Sequence, residues 1–158
     1  MNLWLRILLA LHLCGLAIMM GTTVVDYFTF RFFCSMTDAG DNRAQGLVPI
    51  MARYGELVRI GAVVLIFTGV IMFALKTDWW DQLWFKIKLA LAVLLVLNGM
   101  FVGNSLGLKF RKMIVDNATA LHNTAEIRTD LHRFYLVQLT LFFLIVLVSI
   151  IRPQQAAT

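Results

Sequence analysis

The sequence predicts an all-α polytopic membrane protein, an antiparallel four-helix transmembrane bundle, on three observations. First, 60% of its 158 residues are hydrophobic and only 15% are charged, against about a quarter charged in ordinary soluble domains. The mean hydropathy of +0.80 excludes a disordered chain. Second, residues 7–25, 60–75, 89–108 and 134–151 contain no Asp, Glu, Lys or Arg, and a spanning helix needs about 20 mostly apolar residues. Third, polar or turn-forming residues separate these stretches, as short connections require.

The elements follow in order within a single transmembrane domain, residues 1–153. Helices are expected at about 3–34, 49–76, 80–110 and 131–152, with a flexible tail at 154–158. Arg6 before an apolar run imitates a signal peptide, but the run is long and no small-residue cleavage site follows. It is read as the first spanning helix, continuing through Asp26 and the aromatic residues 27–33. Ser, Asp, Gly and Asn cluster in 35–46 and end it. Pro49 suits the first turn of the second helix, where a missing N–H costs nothing. Residues 51–59 are amphipathic and lead into the second apolar run. A tight connection at 76–81 precedes the third helix, which opens at Trp84.

The stretch 111–129 reads as a helical connection, because Phe110, Met113 or Ile114, Ala118, Leu121 and Ala125 recur at near-helical spacing. It is either an extension of the third helix or a short interfacial helix, with a break near 123–124 or 129–130. Arg152 and Pro153 stop the fourth helix.

Alternating direction puts both termini and the second connection on one side, A, and the first and third connections on the other, B. Side A receives five basic residues: Arg6, Lys76, Lys86, Lys88 and Arg152. Side B receives nine: Arg31, Arg43, Arg53, Arg59, Lys109, Arg111, Lys112, Arg128 and Arg133. The positive-inside rule therefore predicts side B in the cytoplasm and both termini noncytoplasmic. Trp4, Trp79, Trp80 and Trp84 all fall on side A as an interfacial belt. The basic residues bracket apolar segments, so the expected partner is the lipid bilayer and not nucleic acid.

His12 lies five residues inside the first apolar stretch, about 8 Å along the helix. Polar groups at such depth face the bundle or a cavity. His12, Gly15, Met19, Thr22 and Asp26 make one stripe, suited either to a cofactor or proton path or to a hydrogen bond between helices with Gly15 allowing close approach. Trp84 and Lys88, four apart, share a face at the side-A end of the third helix. Lys88 either snorkels to the interface or supplies a cation to a propionate or phosphate. His132 starts the fourth helix from side B, too far from His12 to share one iron; Met72 or Lys88 is an easier second ligand. Asp26, Glu56 and Arg59 are expected to share a polar network near side B. Asn98, Asn104 and Gln138 are read as interhelical hydrogen-bonding groups. Cys14 and Cys34 fit no disulfide or zinc spacing. The methionines are too dispersed to define a copper site, and no phosphate-loop, His-Glu-x-x-His, nucleophile-elbow or DNA-reading motif occurs.

Leu11-His12-Leu13-Cys14-Gly15 with Gly21, the arginine-containing start of helix two with Gly69, and Trp84-Phe85-Lys86-Ile87-Lys88 resemble small bacterial integral-membrane families related to the HemJ-type protoporphyrinogen oxidases and the CopD membrane domain. The resemblance extends over about residues 3–151 through short motifs. The HemJ-like comparison implies haem b binding and porphyrinogen-related redox chemistry, with His12 matching the helix-one histidine and Lys88 the basic position after the helix-three tryptophan. The chain departs from that pattern in lacking an additional spanning helix and a second membrane-embedded histidine. The CopD-like comparison implies copper handling. The expected function is a haem b-binding membrane redox protein, with His12 as metal ligand and Lys88, Trp84 and Met72 around the cofactor. An electron-transfer partner, the bacterial cytoplasmic (inner) membrane and a homo-oligomeric state accompany this reading. Alternatives are a copper or small-solute transporter and a noncatalytic membrane assembly module.

Overall fold

A computed structural model describes residues 3–75, 82–115 and 121–150. Every regular element in it is helical: α1 (Leu3–Asp38), a 3₁₀ turn (Asn42–Leu47), α2 (Val48–Leu75), α3 (Leu83–Leu97), a π-helical segment (Asn98–Gly103), α4 (Asn104–Val115) and α5 (Leu121–Ile150). Four helical stretches, Leu3–Asp38, Arg43–Leu75, Leu83–Phe110 and Glu126–Ile150, are long and apolar enough to cross a membrane. Only 6–22% of the residues in their most apolar windows are buried against protein. Most of the apolar surface therefore points outward, far beyond the patches a water-soluble monomer exposes.

Local chemistry explains the first reversal. At the end of α1, Asp41 N–H donates to the Met36 carbonyl and Gly40 N–H to that of Thr37, and Gly40 has φ +72°. This paired closure of the last carbonyls requires a left-handed residue, which glycine supplies without a Cβ penalty. Asp41 Oδ1 then accepts from Arg43 N–H, starting the 3₁₀ turn. Helix α1 reaches Asp38, past the expected limit near residue 34. Helix α5 runs unbroken from Leu121, so neither 123–124 nor 129–130 interrupts it. The expected connection 111–129 is thus divided: its start belongs to α4 and its end to α5. The 76–81 connection with Trp79 and Trp80, and the expected stop and tail from Arg152 onward, lie outside the described residues.

Helix α1 packs chiefly on α2 and α3 on α5, with α1 and α5 joining the two pairs. Each packing pair is antiparallel. His12 meets Thr68 whereas Gly15 meets Gly61 and Leu65; Asn98 meets Gln138 whereas Gly103 meets Phe134. The closest crossing is between α1 and α2. A Cβ on Gly61 would stand 3.0 Å from the Gly15 carbonyl oxygen and the Met19 nitrogen. Small residues at that crossing let two backbones touch, the main way helices gain packing energy in lipid. The α3–α5 seam adds the buried Asn98 Nδ2–H to Gln138 Oε1 hydrogen bond, 2.8 Å, at the point where the third span becomes π-helical.

Two clusters form the interior. Met19, Leu95, Phe142 and Ile145 fill the middle. Phe30, Phe33, Ala44, Leu106, Phe110, Leu131 and Tyr135 fill the side-B end, where Phe33 and Phe110 meet edge-on with centroids 5.2 Å apart.

Candidate functional site

The candidate site lies where α1, α2 and α3 meet toward side A. His12 is half-buried on α1, and its Nδ1 is 2.9 Å from Thr68 Oγ1 on α2. The single proton of that hydroxyl is already committed, since Thr68 Oγ1 donates to the Val64 carbonyl at 2.7 Å. With that proton on the Val64 carbonyl, the Nδ1–H tautomer of His12 completes the bond to Thr68. That tautomer leaves a lone pair on Nε2, the state in which histidine ligates metals.

Gly69 makes room for the ring: a Cβ there would stand 3.3 Å from His12 Cε1. Lys88, half-buried on α3, lies within electrostatic range of His12. Four residues before Lys88, Trp84 donates its indole N–H to Gln82 Oε1. Trp84 also sits edge-on to Phe85, which stacks on Phe73 of α2 with planes 9° apart. These aromatic contacts fix the start of α3 against the end of α2. Met72 is half-buried one turn beyond Thr68, and the i,i+4 spacing puts it on the same face of α2.

His132 is distant. Its Nδ1 lies 3.3 Å from Tyr27 Oη, and Tyr27 follows His12 by fifteen residues, about 22 Å of helix. The side chain of His122 lies outside the described residues.

The set Asp26, Glu56 and Arg59 is divided. Asp26 Oδ2 accepts from Tyr135 Oη on α5 at 2.8 Å, whereas Glu56 and Arg59 are exposed on α2. Helical phase explains this. Gly61 marks the α1-facing side of α2, and Glu56 and Arg59 precede it by five and two residues, roughly 140° and 160° around the axis. The acid's mate is an aromatic hydroxyl, beside a second phenol–base pair, Tyr27 and His132, with the two tyrosine rings 5.6 Å apart. Along the α1 stripe it is Thr23, not Thr22, that is buried, and it donates to the Met19 carbonyl.

Among the described residues, no three His, Cys, Asp or Glu side chains group so as to hold a metal ion. Haem brings four nitrogen ligands of its own and asks the protein for one or two. His12 offers one imidazole to that demand.

No protein-family model, curated protein or solved structure matches this chain.

Proposed function

We propose that this chain is a haem b-binding redox protein of the bacterial cytoplasmic membrane, acting in porphyrinogen-related chemistry, with His12 as axial ligand. One observation carries the reading: His12 Nδ1 is bonded to Thr68 of the neighbouring helix, and in the Nδ1–H tautomer Nε2 would be left for a metal. When bound, haem supplies one-electron transfer.

The protein's own groups have separate tasks. Thr68 would hold the histidine in the Nδ1–H tautomer, as the partners of metal-ligating histidines generally do. Gly69 keeps the ring from being displaced. Lys88 offers a positive charge to a propionate, and the surrounding apolar helices exclude water. Met72, one turn beyond Thr68 on α2, would be the candidate for a second protein ligand. Side A, where His12 and Lys88 lie, is the face for an electron-transfer partner. The nine-to-five basic bias puts that face and both termini outside the cytoplasm.

The test is the oxidised and reduced visible spectrum of protein purified from haem-replete cells, for the native chain, His12→Ala and His132→Ala. The expected result is a haem b spectrum in the native and His132→Ala proteins and its loss in His12→Ala. A native protein without haem rejects the reading and favours the alternative in which the His12–Thr68 bond only clamps two helices of a noncatalytic assembly module.

A further inference from the structure

A groove of about 450 Å³ runs between α1 and α2, away from the His12 site, lined by Ala17, Ile18, Gly21, Thr22, Val25, Tyr54 and Leu57. We propose that it holds one acyl chain of an anionic phospholipid, with the lipid phosphate on Arg53.

The groove's shape follows from the sequence. Gly21 has open space where its Cβ would be, so the furrow exists because a side chain is missing there. The walls are almost wholly apolar and the groove is open along its length, so an extended hydrocarbon chain can lie in it.

Charge selects the head group. Arg53 is exposed and precedes Leu57 by four residues, so it shares the groove-lining face one turn nearer the side-B end. Helix α2 has 28 residues, about 42 Å, which exceeds a bilayer core of about 30 Å and puts its first turns at head-group depth. Of the acids nearby in sequence, Asp26 is turned toward Tyr135. Glu56 is rotated away, about 60° beyond Arg53 from the groove. A guanidinium at that depth meets a phosphate diester with a charge-assisted hydrogen bond.

Native mass spectrometry of the detergent-solubilised chain, titrated with phosphatidylglycerol or phosphatidylcholine of matched chains, tests this. One phosphatidylglycerol per chain should bind about fivefold more tightly than phosphatidylcholine, the factor expected of one basic residue near an anionic group. Arg53→Gln should abolish the preference, and Gly21→Leu, filling the groove with helicity unchanged by circular dichroism, should abolish the adduct. Arg59→Gln, on the other side of α2, should leave both intact. Equal binding of the two lipids, an adduct that survives Gly21→Leu, or a dimer mass that Gly21→Leu dissociates would overturn the proposal, the last by making a second copy the occupant.

Discussion

Replacing Gly61 with alanine adds a methyl where two helix backbones already touch. The new Cβ would lie 3.0 Å from the Gly15 oxygen and Met19 nitrogen and 3.1 Å from the Met19 Cβ. Two of these three neighbours are backbone atoms, which no rotamer change can move. Restoring contacts of about 3.5 Å requires the helices to separate by roughly 0.5 Å at the crossing. The His12–Thr68 bond, 2.9 Å and two turns away, would then stretch toward the limit of useful geometry. Overpacking of this kind costs about 1–3 kcal/mol, and alanine's better helix propensity returns up to about 1 kcal/mol. A net loss of about 1–2 kcal/mol is expected. Gly21→Ala is the control, since its Cβ meets nothing within 4 Å and only the propensity gain remains. Reversible unfolding in mixed micelles, followed by circular dichroism with midpoints compared at constant slope, measures both. Equal stability of Gly61→Ala and Gly21→Ala would refute the tight crossing.

Tyr135→Phe removes a hydrogen bond to a carboxylate and should cost about 1.5–3 kcal/mol in the same unfolding measurement; no change would mean that the Asp26–Tyr135 bond is not formed. A double-mutant cycle on Asn98 and Gln138, each changed to leucine, should show a coupling of about 0.6 kcal/mol and not above about 1.7; zero coupling would separate the two amides. Reporter fusions after Lys76 and after Lys109 should report opposite sides, with the second cytoplasmic. Same-side signals would break the alternating topology, and reversed signals only its orientation.

How far the sequence carries depends on what kind of information a feature needs. The four spans were legible because excluding charge from about twenty residues is a one-dimensional signal. Pro49 likewise announced its place at the start of α2. Gly15 was legible as a close-approach residue, and His12 and Lys88 as a pair near one end, because depth along a helix can be counted from the charge-free boundaries. The partners were not legible, because they depend on rotation about each helix axis. Asp26 and Glu56 stand at similar depth, yet Glu56 is turned away from α1 and the acid instead meets Tyr135 across the α1–α5 seam. Thr68 was hidden for a different reason. A lone threonine in an apolar run ordinarily bonds its own helix, as Thr23 and Thr140 do; only the interhelical distance shows that its oxygen also bonds His12. The π-helical segment at Asn98–Gly103 contains two glycines, and Phe134 of α5 packs over the second, Gly103. The unbroken start of α5 was not legible: the spacing at 111–129 reads as a helical connection with a break near 123–124 or 129–130, and the 2.6 Å Arg128–Asp38 ion pair that ties this stretch to the end of α1 is set by packing.

In the proposed function His12 holds the haem iron. Ferric haem titrated into the purified chain in detergent, followed at the Soret band, reads that bond. The expected outcome is saturation at one haem per chain, loss of the shifted band in His12→Ala, and its return on adding free imidazole. A native chain that leaves the Soret band unshifted, or a His12→Ala variant that titrates like the native protein, would contradict it.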